Sequence, residues 1–462
     1  MKIYNSLTNK KEDFHPISEG KIKMYACGPT VYNYFHIGNA RPFLFFDLVK
    51  RYFEYQKYDV TYVQNITDID DKIINKANEE NVSTDEIAKK FIKAFYDDTA
   101  KLGIRKPDHQ PLATEYIQKM IDLISKLEKT GYAYEVEGDV YFSVSSFKDY
   151  GKLSGKKLED LQAGARVEEN SNKKSSFDFT LWKKAKPGEP KWDSPWGEGR
   201  PGWHTECVVM SQTLLGESFD IHGGGIDLIF PHHENEIAQG EAITGKPLAN
   251  YWMHNGFLNI KGEKMSKSLG NFFTARDILK LYDSEAIRMF FLSKHYRSPI
   301  DFSEELIKES MKSVDNFYST LKRFEYLKWN TEFSGEYFDD DFKNNFDAAM
   351  DDDFNTAKAI AVLFDLNKKI KSDDILDDER KKLIVTLVNL GKVLGFFQNL
   401  NLKLKPEITD LSGQLIEVLI EIRNEARIAK NWELSDKIRD RLKKIGVELK
   451  DGKTGTDWNL IN

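Results

Sequence analysis

Lys21-Ile22-Lys23-Met24-Tyr25-Ala26-Cys27 alternates and then runs apolar, as a strand does, and stops at the turn signal Gly28-Pro29-Thr30. Tyr34-Phe35-His36-Ile37-Gly38-Asn39-Ala40-Arg41 follows. Apolar residues then recur at helical spacing through Phe43, Phe46, Leu48, Val49, Tyr52 and Phe53. Asp59-Val60-Thr61-Tyr62-Val63 reads as a second strand. Strand, loop, helix and strand in so short a span make a βαβ unit, which predicts an α/β fold with a Rossmann-like parallel sheet.

Working outward, helical patterns are expected over Thr84–Leu102 and Ala113–Lys129, and a strand near Gly138–Val144. From Tyr150 to Gly202 the chain is rich in Lys, Gly, Pro and Trp and shows little periodicity, so 101–200 reads as an insertion into the sheet domain. The sheet is expected to resume with Trp203-His204-Thr205-Glu206-Cys207 and a helix to Leu215. Then comes a strand Phe219–His222 entering Gly223-Gly224-Gly225, and a helix opened by Pro231 and running through Ala242. Beyond Ser303 amphipathic helical patterns dominate, as in an all-α bundle. Lys403-Leu404-Lys405-Pro406 marks a linker to a small terminal unit. The expected organisation is 1–100 with 201–260 as the sheet domain, 101–200 inserted, 261–302 a lysine-rich connection, 303–402 the bundle and 403–462 the terminal unit.

The chain has 462 residues, 40% hydrophobic and 31% charged, which suits several globular domains. Its start, Met1-Lys2-Ile3-Tyr4-Asn5, lacks the apolar run of a signal peptide, and no window is apolar enough to span a bilayer. The expectation is a cytoplasmic protein without membrane contact. The net charge of −7 provides no global attraction for nucleic acid, so any such contact has to come from local patches. No G-x-x-x-x-G-K-[ST] occurs, which excludes a P-loop nucleotide site.

Two features carry chemistry. The only cysteines are Cys27 and Cys207, and Pro231-His232-His233-Glu234-Asn235-Glu236 sets His232 and Glu236 four residues apart, on one helical face. Two thiolates, one imidazole and one carboxylate complete a tetrahedral Zn2+ site. A soft ion of that kind can also take a substrate thiol. The second feature is Gly262-Glu263-Lys264-Met265-Ser266-Lys267-Ser268-Leu269-Gly270, two lysines three apart between glycines, which suits a polyphosphate. Alone, either pattern also describes ordinary structure: a solvated surface loop, or a histidine and a carboxylate on one helix.

In combination these residues identify a family. His36-Ile37-Gly38-Asn39 fits the HIGH signature and Lys264–Ser268 the KMSKS signature of the class I aminoacyl-tRNA synthetases. Cys27-Gly28-Pro29-Thr30-Val31-Tyr32, Asn65-Ile66-Thr67-Asp68, Gly202–Cys207 and His222–Glu236 resemble the cysteinyl-tRNA synthetase family within that class. The resemblance runs from Tyr4 to Trp458. It departs at Asn39, which stands where the signature has histidine; asparagine still donates a hydrogen bond but carries no proton charge.

The resemblance implies activation of L-cysteine with ATP, in the presence of Mg2+, and transfer of the cysteinyl group to the terminal ribose of tRNA(Cys). It implies zinc on Cys27, Cys207, His232 and Glu236, and substrate contacts from Thr30, Thr67, Trp203 and His222. His36, Gly38, Asn39, Gly224, Asp227, Lys264 and Lys267 would hold ATP, with His36, Asn39 and the two lysines acting in catalysis. The terminal unit would read the anticodon through Arg427, Trp432, Asp436, Asp451 and Trp458. Basic residues there outnumber acidic ones eight to four between Arg423 and Lys444. A monomer is expected. The competing readings are a cysteine ligase that passes the adenylate to a small amine, and a non-catalytic RNA-binding relative.

Overall fold

The computed structural model describes residues 1–156, 173–260, 263–264, 273–330, 338–404, 410–452 and 455–460. The chain forms two compact units, Met1–Leu400 and Asn401–Asn462. Of the lysine stretch, Lys267 lies outside the described residues, and Lys264 is placed only as backbone.

The first unit opens with a hairpin, β1 (Lys2–Asn5) and β2 (Lys10–Asp13). The unit's organising element is β3 (Lys21–Ala26), α1 (Ile37–Tyr55) and β4 (Asp59–Gln64), with β3 and β4 parallel. The imidazole of His36 caps α1, its Nδ1 accepting from Asn39 N at 3.3 Å. The helix buries Phe43, Phe46, Leu48, Val49, Tyr52 and Phe53. Next come α2 (Asp71–Glu80), α3 (Thr84–Lys101) and α4 (Ile117–Lys129). Ser83 and Glu86 form a reciprocal capping box at the start of α3.

A separate antiparallel sheet follows, β5 (Ala133–Val136), β6 (Asp139–Phe142), β7 (Phe179–Lys184) and β8 (Gly199–Pro201). The last two strands lie in the stretch 150–202, where the sequence shows little periodicity. Trp182 is fully buried and Leu181 packs into the same core, a signal that the Lys- and Gly-rich neighbours obscured. One correction concerns Trp203–Cys207, expected as sheet: it is the first part of α5 (Trp203–Leu215).

The central sheet is completed by β9 (Phe219–Gly225), α6 (Glu234–Thr244) and β10 (Ala249–Asn255). Here the expected helix start at Pro231 moves to Glu234, because Ile229–His233 forms a wider turn first. The strand order is β10-β9-β3-β4, all parallel. Chain order therefore reverses between β3 and β9, and the crevice at their carboxyl ends is where open α/β sheets take ligands.

Beyond lie β11 (Leu258–Ile260), β12 (Glu263–Lys264), α7 (Ala275–Leu281), α8 (Ser284–Leu292) and β13 (Ile300–Asp301). The longer helices that follow are α9 (Glu304–Arg323), α10 (Asp340–Met350), α11 (Thr356–Ile370) and α12 (Asp377–Val393). A buried charge cluster secures α1 from its outer side. Asp47 accepts from Arg51 at 2.9 Å, Arg105 at 3.0 Å and the fully buried Arg288 of α8 at 3.2 Å.

The second unit holds α13 (Asp410–Ile428), α14 (Trp432–Lys444) and the hairpin β14 (Val447–Asp451) with β15 (Thr456–Leu460). Its small core is Ile416, Ile420, Leu442 and Val447.

Candidate active site

The sheet's carboxyl edge brings four distant segments together. Cys27 leaves β3, and its N–H donates to Gly223 O of β9 at 3.1 Å, across the point where strand order reverses. The loops after β3 and β4 join as well: Val31 N donates to Thr67 O at 3.1 Å and Thr67 N to Pro29 O at 3.0 Å. Gly28 has to be glycine, since a Cβ there would lie 1.7 Å from Asn65 O.

Cys27, Cys207, His232 and Glu236 converge with every ligand atom buried. The two sulfurs are 3.9 Å apart, Cys207 Sγ is 3.6 Å from His232 Nε2, and Cys27 Sγ is 3.5 Å from Glu236 Oε1. His232 Nε2 and Glu236 Oε1 are 2.9 Å apart. A tetrahedral zinc with ordinary bond lengths separates S from S by about 3.8 Å, S from N or O by about 3.6 Å, and N from O by about 3.3 Å. The observed spacing matches that ion to within a few tenths of an ångström.

A second quartet, Cys27, His222, His233 and Glu236, overlaps the first. Only one thiolate belongs to it, that of Cys27, whose Sγ lies 3.2 Å from His233 Nε2. His222 Nε2 lies 2.7 Å from Glu236 Oε2, and His233 Nδ1 lies 2.8 Å from His254 Nε2, whose ring reaches Ser6 Oγ at 2.8 Å. These contacts orient the carboxylate and the adjacent rings, as outer partners of metal ligands do. His204 does the same for His232, ring nitrogen to ring nitrogen at 2.8 Å.

The ligand groups do not titrate alike: burial, with Cys207 and Glu236 beside it, pushes the Cys27 thiol well up. Burial acts to raise the Cys207 thiol, but its contacts with Cys27 and His232 prevail and bring it down to about 6. Burial opposes charge on His232 too, yet Glu236 and Cys207 raise it to about 10. Glu236 is held well below the usual carboxylate range by His222 and His232, against the cost of burial. Burial, reinforced by the neighbouring His232, pushes His204 down to about 3, so it remains neutral. Cys207 and Glu236 are thus the anionic donors, with the neutral imidazole of His204 behind His232.

Beside this cluster opens a cavity of about 320 Å³. Cys27, Thr30, His36, Gly38, Asn39, Trp203 and Asp227 all line it. Trp203 lies flat on His232, ring centroids 4.0 Å apart at 22°. Thr67 and His222, expected at the amino acid, and Gly224, expected at ATP, are not among the lining residues. Thr67 Oγ1 donates to the buried Glu206 at 2.6 Å, His222 stacks on Trp252 at 4.4 Å, and a Cβ on Gly224 would touch Leu228 and His233. A Cβ on Gly38 would lie 2.9 Å from the His36 ring, so this glycine preserves the cap of α1 as well as access.

Sequence reasoning missed His204, Glu206, His233 and His254. Period-two alternation on β10 places Trp252 and His254 on one face, beside the end of β9, and that signal was present. Nothing in the sequence distinguishes the roles of the adjacent His232 and His233.

In the second unit Asp451 is occupied: Arg423 grips it with both Nη atoms at 2.8 Å, and Arg427 lies 2.9 Å away. Trp458 Nε1 donates to Glu417 at 2.8 Å, and Asp436 pairs with Arg439 at 3.1 Å. Trp432 is 58% exposed, which leaves its ring available for stacking.

Residues 13–312 match the model of the tRNA synthetases class I (C) catalytic domain, and residues 345–398 that of the DALR domain. The chain is 52% identical over its full length to the full-length cysteine–tRNA ligase of Clostridioides difficile (strain 630). It is 51% identical, again with full coverage of both chains, to that of Carboxydothermus hydrogenoformans. Among solved structures, a methionyl-tRNA synthetase of Mycobacterium tuberculosis in complex with methionyl-adenylate superimposes with a TM-score of 0.57 at 16% identity. The match covers 87% of this chain and 94% of that one, and it speaks for the fold alone. Among the described residues no helix is long and apolar enough to cross a membrane.

Proposed function

The chain belongs to the cysteine–tRNA ligases of the class I aminoacyl-tRNA synthetases, and on that footing we propose how its residues divide the work. L-cysteine reacts with ATP to give cysteinyl-adenylate and pyrophosphate, and the cysteinyl group then moves to the 3′-terminal ribose of tRNA(Cys).

The observation that carries the assignment of roles is the four-ligand cluster opening into the cavity beneath Trp203. Cys27, Cys207, His232 and Glu236 hold Zn2+ there. Bound there, Zn2+ would supply a Lewis acid soft enough to take the substrate thiolate, and serine, with a hard hydroxyl, would be refused. Rejection by an unmatched buried group can reach about 10⁴–10⁵-fold, far beyond what a one-atom difference in shape gives. His222 keeps Glu236 turned inward, His204 does the same for His232, and Trp203 closes one side of the amino-acid pocket.

His36 and Asn39 stand at the start of α1, where the positive end of the helix dipole favours phosphate. Asn39 meets ATP by hydrogen bonding alone, with no imidazolium charge. Asp227 borders the nucleotide, while Lys264 and Lys267, with Mg2+, offset charge as pyrophosphate leaves.

We assign 1–100 and 201–260 to the nucleotide-binding domain, 101–200 to its insertion, 261–302 to the lysine segment and stem contact, and 303–402 to the bundle. Residues 403–462 serve as the anticodon unit. There Trp432 offers an exposed stacking face, and Arg427 offers charge beside Asp451. The enzyme works as a cytoplasmic monomer.

Cysteine-dependent ATP–pyrophosphate exchange tests the site assignment, with serine as competitor. Exchange with cysteine that serine at hundredfold excess fails to replace is expected. Exchange with serine at comparable kcat/KM would refute the thiolate-selecting cluster.

A further inference from the structure

Outside the signature motifs, one guanidinium ties together the edges of the cavity. Just before α7, Phe273–Ala275 pairs with the segment carrying His36. Ile37 N donates to Phe273 O and Ala275 N to Phe35 O, both at 3.0 Å, and His36 faces Thr274 as an antiparallel bridge. Two backbone hydrogen bonds are a slight attachment on their own. Arg276, the next residue, reinforces it. Its Nε and Nη2 donate to the two carboxylate oxygens of Asp98 on α3, each at 3.1 Å. Its guanidinium carbon lies 3.7 Å from the centroid of the Tyr34 ring.

Both partners lead back to the cavity. Asp98 is 1% exposed, so its carboxylate depends on the bidentate pairing. Tyr34 meets Phe91 edge-on at 5.2 Å, and Tyr34, Phe35, Phe91 and Phe95 line the same cavity as His36 and Asn39. The series Asp98, Arg276, Tyr34, Phe91 therefore runs from α3 through α7 to the loop after β3 and back to α3. Only a planar, five-donor group can bind Asp98 through two donors while stacking on Tyr34.

We propose that Arg276 is a positioning residue for adenylate formation, holding Phe273–Ala275 and the aromatic wall at Tyr34 in register with His36. This rests on the ligase reading above. Arg276 makes none of the contacts around Cys27, so its removal spares the cysteine site. It disturbs the alignment of the nucleotide with His36 and with the segment that follows the lysines.

The test uses the full chain in cysteine-dependent ATP–pyrophosphate exchange, comparing wild type, Arg276→Ala and Arg276→Lys. A misplacement of about 1 Å can cost ~100-fold in rate. We expect kcat to fall ~10–100-fold in Arg276→Ala, with KM for ATP raised and KM for cysteine within about twofold of wild type. Arg276→Lys keeps the charge and lacks the fork and the plane, so it should recover little of the loss. If Arg276→Ala does not fold, Arg276→Lys carries the test. Lowered thermal stability with kcat and both KM values unchanged would make the residue merely structural and overturn the proposal. Failure of the wild type to exchange would instead strike the ligase reading.

Discussion

Replacing Cys207 by alanine and, separately, His222 by alanine distinguishes the two quartets that share Cys27 and Glu236. In the quartet built on both cysteines, Cys207 is a ligand and His222 only orients Glu236, through its 2.7 Å contact with Oε2. Four-ligand zinc sites are worth roughly 10–16 kcal/mol, so one ligand carries about 3–4 kcal/mol. Cys207→Ala should then weaken metal binding by ~10²–10³-fold, at 1.4 kcal/mol per tenfold. His222→Ala removes an outer partner and should cost ~10–100-fold. In the other quartet the order reverses, because His222 becomes a ligand and Cys207 does not. The assay is competition for zinc against a chelator of known affinity. Cobalt substitution should accompany it, with the thiolate-to-metal absorption of Cys207→Ala falling to about half that of wild type as one of two thiolates is lost. Near-wild-type affinity in Cys207→Ala together with a larger loss in His222→Ala would refute the assignment.

Other expectations follow from the same contacts. A Cβ on Gly28 would lie 1.7 Å from Asn65 O, so Gly28→Ala should cost at least the ~1–3 kcal/mol of ordinary overpacking and lower zinc content by displacing Cys27. Unchanged melting temperature and metal content would contradict this. Asp47 titrates low in the folded protein because Arg288, Arg51 and Arg105 outweigh the effect of burial. Its contribution is therefore complete above the unfolded carboxylate value of about 3.9 and disappears as pH falls through the lower folded value. Asp47→Asn should melt well below wild type at pH 7, with the two curves converging below about pH 4; a constant gap down to pH 3 would contradict the linkage. Ending the chain after Leu400 should leave cysteine-dependent pyrophosphate exchange intact and impair charging of tRNA, and charging at the full-length rate would remove the terminal unit from recognition.

The βαβ unit at Lys21–Gln64 was legible because local period and turn signals agree there, and the metal quartet because the chain has only two cysteines. The strands β7 and β8 were not. Their partners are set by tertiary pairing around Trp182, and β8 contains Gly199 and Pro201, poor strand formers. The start of α5 was misread because Trp203–Cys207 is apolar or buried on most sides and so lacks an amphipathic period; Thr205, Glu206 and Cys207 are all buried. A buried polar residue leaves no sequence signature of its partner, which is why Glu206 emerges only in three dimensions. Asp451, expected at a base, is paired with Arg423 and Arg427, contacts across the terminal unit that local sequence does not announce.

In the proposed function this chain joins cysteine to tRNA, and the metal selects the thiolate. The most direct measurement is transfer of radiolabelled cysteine to tRNA(Cys) with ATP, before and after stripping the metal with a chelator and restoring Zn2+. Labelled tRNA that vanishes on stripping and returns with zinc is the predicted result. Full charging by metal-free enzyme would contradict the role of the cluster, and cysteine-dependent pyrophosphate exchange with no labelled tRNA would contradict the ligase assignment in favour of a small-amine acceptor.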